Sequence, residues 1–148
     1  MFDLWGFDAI TVNAFSGFDS IEPFLEYSDR GVFVWCKSSN PDGYQFQDLV
    51  VSGQNGKKVF EIIAEYCVKW NSSNNLGLVV GATYPGELAS IRKIAPEIPI
   101  LVPGVGTQSG DLEASLKSGL AVETHGLLIS SSRGIIYASD QVSEYGTQ

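Results

Sequence analysis

Apolar and polar positions fall into alternating blocks. Short apolar runs take turns with longer stretches whose apolar residues recur at three- and four-residue spacing. Ala9-Ile-Thr-Val-Asn13 predicts a strand. Asp19-Ser20 is an N-cap pair ahead of a short helix carrying Ile21, Phe24 and Leu25. Gly31-Val-Phe-Val-Trp-Cys36 is nearly all apolar and predicts a strand buried on both faces, as in a parallel sheet. The polar loop Ser38-Ser-Asn-Pro-Asp-Gly43 leaves its C-terminal end. From Gly56 to Trp70 the residues Val59, Ile63, Tyr66, Cys67 and Trp70 share one helical face, with Lys58, Glu61 and Glu65 off it, and Asn71–Asn75 ends the helix.

The alternation continues with a buried strand, Leu76-Gly-Leu-Val-Val80. Pro85 opens the next helix, where a missing N–H costs nothing. Leu88, Ile91 and Ile94 or Ala95 form its core face, and Pro96 and Pro99 stop it. Ile100-Leu-Val102 is a fourth strand, followed by the loop Pro103–Asp111 and a short helix, Leu112–Lys117, with Gly119 as its stop. Gly126-Leu-Leu-Ile129 is the fifth strand and runs into Ser130–Gly134. The end of the chain is polar and patternless, so residues 141–148 are expected to be poorly ordered.

Strand followed by helix, about five times over, predicts sequential parallel strands with right-handed crossovers in a single α/β domain. Two closures satisfy that order: an open doubly wound sheet or part of a (β/α)8 barrel. A dinucleotide-binding sheet would place its glycines after the first strand. Here the glycine- and serine-rich loops follow the last two strands, where barrels bind phosphate, so the expectation is a partial barrel.

Composition narrows the picture. Of 148 residues, 44% are hydrophobic and 18% charged, enough to bury a core. No apolar run has the length of a membrane helix, and Met1–Gly6 lacks the positive start of a secretory signal, so a cytoplasmic location is expected. The net charge of −8, with Lys57-Lys58 the only adjacent basic pair, argues against nucleic acid as a partner. Cys36 and Cys67 match no zinc or redox spacing and read as buried thiols.

Two loops carry candidate chemistry. In Pro103–Asp111, Gly104, Gly106 and Gly110 let backbone approach a ligand and expose N–H groups, Gln108 adds a neutral donor, and a helix N-terminus follows. In Ser130–Gly134, three serines precede Arg133, whose guanidinium suits a two-pronged phosphate contact. Each has a blander reading, as a flexible turn or a solvated arginine. Together, at adjacent strand ends, they predict a phosphate grip. Ser38, Ser39 and Asn40 offer donors and acceptors to a polar ring edge, although Ser-Asn-Pro is also ordinary turn chemistry. His125, the only histidine, has no nucleophile motif around it and reads as a loop cap.

Several blocks, in order, resemble the bacterial second-type branch of the orotidine 5′-phosphate decarboxylase family. They are Thr11-Val-Asn13 with Gly17 and Ser20–Leu25, Val34 through Pro41, Leu78–Pro85, Leu101–Asp111 and Ser131–Ala138. The resemblance covers roughly residues 6 to 140. It implies a (β/α)8 barrel, usually a homodimer, that converts orotidine 5′-monophosphate to uridine 5′-monophosphate and carbon dioxide with no cofactor or metal. By the same resemblance, Arg133 and Gln108 hold the 5′-phosphate and Ser38 contacts the pyrimidine edge. Backbone N–H groups near Ser132–Arg133 and Gly106 would complete the phosphate site.

The chain departs from the family at one place. The family's catalytic Asp-x-Lys-x-x-Asp stretch lies on the third barrel strand, and none of Lys37, Lys57, Lys58, Lys69, Lys93 or Lys117 has an aspartate two before and another three after. No catalytic residue is therefore assigned. The resemblance places residue 9 in the fourth strand, so strands one to three would precede Met1, and the helix after Tyr137-Ala138 would be cut short. The expectation is a partial barrel, five βα units resembling strands 4–8, that keeps the phosphate and pyrimidine loops, is inactive alone and associates through its open edges. The alternative is a non-catalytic barrel piece that binds nucleoside monophosphates and is completed by another chain.

Overall fold

A computed structural model describes residues 1–106, 110–121, 125–137 and 139. Five strands, β1 (Ala9–Asn13), β2 (Gly31–Lys37), β3 (Leu76–Val80), β4 (Ile100–Pro103) and β5 (Leu127–Ser130), form one sheet in sequence order, and every neighbouring pair is parallel. The helices are α1 (Phe2–Trp5), α2 (Glu22–Leu25), α3 (Tyr44–Gln47), α4 (Val59–Trp70), α5 (Pro85–Ile94), α6 (Leu112–Gly119) and α7 (Arg133–Ile136). Sequential parallel strands joined by helical crossovers are the units of a (β/α)8 barrel, and five of them make an arc of one.

The strand positions alternate as the pleat requires. Val32, Val34 and Cys36 of β2, Leu76, Leu78 and Val80 of β3, and Ile100 and Val102 of β4 are buried; they join Phe60, Ala64 and Cys67 of α4 and Leu88 and Ile91 of α5 in one core. The opposite face of β2 does not match the expected two-sided burial, because Trp35 is 42% exposed. Register places Asn13 beside Trp35, Trp35 beside Val79, Val79 beside Leu101, and Leu101 beside Leu128, a row that crosses the sheet on the face away from the core helices. That row is closed over β3 and open at its flanks, where Leu128 is 45% exposed.

Several local expectations are corrected. The Asp19-Ser20 cap is absent: Phe18–Ser20 is a 3-10 turn, Ser20 Oγ donates to the Gly17 carbonyl (2.7 Å), and α2 begins after Ile21 with no side-chain cap. Of the expected face of α4, Cys67 is buried and Ile63 and Trp70 pack against the core, but Tyr66 is exposed, and Phe60 and Ala64 complete the buried stripe in place of Val59 and Tyr66. Phe60 takes that place because β2 meets this side of the helix, where Cys36 Sγ donates to the Phe60 carbonyl (3.2 Å). Gly119 closes α6 from inside, with Leu120 as an extended C-cap. A Cβ on Gly119 would sit 2.9 Å from Leu88, so this glycine serves packing rather than a left-handed stop. Two short helices were not expected: α3, in a stretch to which the sequence pattern assigns no element, and α7, which begins within the expected Ser130–Gly134 loop.

Arg92 stitches the opposite end of the sheet from the loops discussed below. Nearly buried, it donates to the carbonyls of Gly119, Ala95, Pro96, Ile98 and Gly126 at 2.7–3.0 Å. Burial pushes its guanidinium below the ordinary arginine range, partly offset by Glu97.

Candidate functional site

Parallel strands send all their C-terminal loops to one edge. At that edge the backbone ties neighbouring loops together. The Gly81 N–H donates to the Lys37 carbonyl (2.8 Å), and the Ala82 N–H to the Pro103 carbonyl (2.9 Å). Pro103 pairs in register with Ser130, so the loops after β4 and β5 start side by side. The loops beginning at Ser38, Gly81, Gly104 and Ser131 therefore form one continuous rim.

The loop after β4 is closed on itself. The Gly110 N–H donates to the Gly104 carbonyl and the Gly106 N–H to the Gly110 carbonyl, both at 3.2 Å. Gly104 and Gly106 hold φ of 93° and 84°, the left-handed region that favours glycine. A Cβ on Gly110 would lie 2.5 Å from the Gly104 carbonyl oxygen and 2.6 Å from Ala82 Cβ, so the closure admits no side chain there. Asp111 caps α6, its carboxylate accepting from the Ala114 N–H (3.1 Å), as the sequence predicts for a helix that starts at this loop. Gln108 lies outside the described residues.

After β5, Ser132 precedes the short helix α7, with the Ile136 N–H donating to the Ser132 carbonyl (2.8 Å), and Arg133 opens that helix on the exposed surface. Gly134 lies inside α7. Arg133 thus follows the strand next to the one that carries the glycine loop, a placement suited to a phosphate dianion, while the Gly106 and Gly110 N–H groups are taken up by the loop's own closure.

The loop after β2 is the most heavily built. Lys37, the last residue of β2, is completely buried; its Nζ lies 2.9 Å from Asp48 Oδ2 and 4.5 Å from the centre of the Tyr84 ring. Lys58 Nζ stands 3.7 Å from the other Asp48 oxygen. Removing one partner of such a pair leaves a buried charge and costs about 3–5 kcal/mol. Next to it, nearly buried Ser38 meets Gln47, the last residue of α3: Ser38 N–H donates to Gln47 Oε1 (3.1 Å), and Gln47 Nε2 donates to Ser38 Oγ (2.9 Å). The loop is pinned from β3 as well. Thr83 Oγ1 donates to the Ser39 carbonyl (3.1 Å), and Gly81 packs so close that a Cβ would fall 2.6 Å from Ser39 Cα.

Of the residues the sequence singles out, Ser38, Gly106, Ser132 and Arg133 all come to this rim. Lys37, Asp48 and Gln47 were missed. Lys37 follows directly on an apolar strand, which is a signal of a buried charge, but its partner lies eleven positions on and is found only by folding. His125 is exposed, with its carbonyl accepting from the Ala121 N–H (3.0 Å). Among the described residues no group of His, Cys, Asp and Glu is arranged to hold a metal, and no helix is long and apolar enough to cross a membrane.

Comparison with known proteins decides the ancestry of this rim. The model of the orotidine 5′-phosphate decarboxylase / HUMPS family matches residues 2–147. The chain belongs to this family. Among its decarboxylase relatives are those named orotidine 5′-phosphate decarboxylase from Aromatoleum aromaticum, 48% identical over 138 residues, and Haloarcula marismortui, 52% identical over 136. These alignments cover 93% and 92% of this chain but 50% and 48% of the relatives, so the chain spans about half the length of the decarboxylases it matches. Among solved structures, Leishmania donovani UMP synthase superposes with a TM-score of 0.89 at 41% identity, covering 99% of this chain and 32% of that one. Leishmania donovani OMP decarboxylase gives 0.86 at 41% identity, with 94% and 53% covered. The decarboxylase of Methanocaldococcus jannaschii, solved with the inhibitor BMP, gives 0.70 at 26% identity, covering 93% of this chain and 57% of that one.

Proposed function

We propose that this chain is the phosphate- and pyrimidine-gripping part of a carboxy-lyase that converts orotidine 5′-monophosphate to uridine 5′-monophosphate. The observation that carries the reading is the shared rim: the closed Gly104–Gly110 loop and the Arg133 turn start from registered neighbours, Pro103 and Ser130. Arg133 and Gln108 take the 5′-phosphate together with backbone N–H groups near Gly106 and Ser132–Arg133, and Ser38 faces the pyrimidine edge. Residues 1–148 act as one partial barrel. The proton donor and its aspartates are supplied by strands without a counterpart among these residues, and the assembled enzyme is a cytoplasmic homodimer needing neither cofactor nor metal. Binding energy from a remote phosphate can be spent at the reacting ring, so the grip can persist where the chemistry is lost.

Calorimetric titration with uridine 5′-monophosphate tests the reading. Binding at millimolar ligand or tighter is expected, weakened about tenfold or more by Arg133→Ala through loss of a charge-assisted contact. A decarboxylation assay of the chain alone should be silent, and adding the N-terminal half of the Aromatoleum aromaticum relative should restore turnover. No binding at millimolar nucleotide would remove the proposal.

A further inference from the structure

Gln47 stands in contact with the pyrimidine-facing serine, and its chemistry determines what that serine can offer a ligand. The Ser38 backbone N–H points at one end of the Gln47 carboxamide (3.1 Å), which must therefore be the oxygen. The amide nitrogen is then the end that donates to Ser38 Oγ (2.9 Å), occupying one hydroxyl lone pair. The remaining contact, Ser38 Oγ to Gln47 Oε1, is the longest of the three at 3.2 Å, and that oxygen already serves the backbone N–H. The hydroxyl hydrogen is thus the group most readily released to a ligand.

The fold keeps this contact in place. A Cβ on Gly43 would sit 2.6 Å from Ser38 Oγ and 2.9 Å from Gln47 Oε1, so only glycine leaves room for the pair. The buried Lys37–Asp48 ion pair closes the same loop one residue further out on each side.

We propose that Gln47 is the specificity-determining positioning residue for the pyrimidine: by donating to Ser38 Oγ it keeps that hydroxyl available as a donor, and so selects a ring edge with carbonyl acceptors. This rests on the reading of Ser38 as the ring contact. Uracil and orotate rings present a carbonyl at C4, whereas cytosine presents an amino donor there. A Gln47→Glu carboxylate has no donor. It would accept from both the Ser38 N–H and the Ser38 hydroxyl, leaving lone pairs alone to face the ligand.

Affinities of the chain for uridine 5′-monophosphate, cytidine 5′-monophosphate and ribose 5-phosphate test this by calorimetry. The unmodified chain should bind the uridine nucleotide about tenfold or more tightly than the cytidine nucleotide, the scale of one well-placed hydrogen bond. In Gln47→Glu that ratio should fall at least about tenfold, while ribose 5-phosphate, held by its phosphate alone, binds unchanged. Equal affinity of the unmodified chain for the two nucleotides overturns the inference without any variant. So does a Gln47→Glu ratio equal to the original. Ribose 5-phosphate binding as well as the uridine nucleotide removes the Ser38 ring contact itself, and with it both readings.

Discussion

At the scale of single residues, stability rests on a few buried polar groups at fixed positions. Arg92 satisfies five backbone carbonyls contributed by the end of α5, the turn into β4, the end of α6 and the start of β5. Arg92→Met keeps much of the side-chain volume and leaves those acceptors without their donor, so a loss of about 3–5 kcal/mol in urea unfolding is expected. Arg92→Lys should recover only part of it, because an ammonium cannot reproduce the planar fork. Burial makes the two thiols equally specific reporters. It pushes Cys67 up from 9.0 to about 12 and Cys36 well above its ordinary value, with Cys67 adding to the rise at Cys36. Both thiols remain protonated in the fold while the unfolded chain ionises. Their contribution is therefore fully present below about pH 9 and is lost as pH rises toward 12, with each thiol tilting stability downward by about 1.4 kcal/mol per pH unit. Urea unfolding series at pH 8 and pH 10 measure this, and thiol-reactive dye at pH 8 should label neither cysteine until the chain unfolds.

At the scale of elements, the rim depends on glycines that perform different tasks. Gly110 is a contact glycine, with Ala82 and the Gly104 carbonyl where its Cβ would be. Gly110→Ala is expected to spread the loop and weaken uridine 5′-monophosphate binding about tenfold or more. Gly86, in the first turn of α5, has open space around its absent Cβ. Gly86→Ala should leave binding unchanged and raise stability by up to about 1 kcal/mol, since alanine loses less backbone entropy on folding. A pair of variants that shifted binding equally would refute the distinction. Strand identity at this scale was plain in the apolar runs, because β2, β3 and β4 each carry the residues a buried strand requires. Helix faces were less legible. In α4 the expected face holds for Cys67, Ile63 and Trp70, and only the side on which β2 lies shows that Phe60 and Ala64, rather than Val59 and Tyr66, complete the buried stripe. The helices α3 and α7 were missed because four-residue helices carry no period to read.

For the whole molecule, the sheet order places β1 and β5 on the outside, with no neighbouring strand among the described residues. The face away from the helices shows Trp35 and Leu128, and Phe15 and Phe46 stand out from the loops near the rim. Unpaired strand edges beside exposed apolar side chains favour pairing with a further chain. Sedimentation velocity at micromolar concentration is expected to show concentration-dependent association of the chain by itself, and a monodisperse monomer that melts cooperatively would contradict it. Adding the N-terminal half of a relative should suppress that association as it completes the barrel.

The sequence alone determined the α/β class, the five parallel strands and the family, because buried strands must be apolar and the rim loops keep their glycines, serines and arginine in order. It also carried the absence of the Asp-x-Lys-x-x-Asp stretch, which needs no folding to see. Only the tertiary structure decided which residues support the rim. Lys37 with Asp48, Ser38 with Gln47, and Gly81 against Ser39 are contacts between positions from nine to forty-two apart. No local pattern encodes such pairs: the first two close within the folded loop after β2, and the third arises where the crossover returns the chain to the same edge of the sheet.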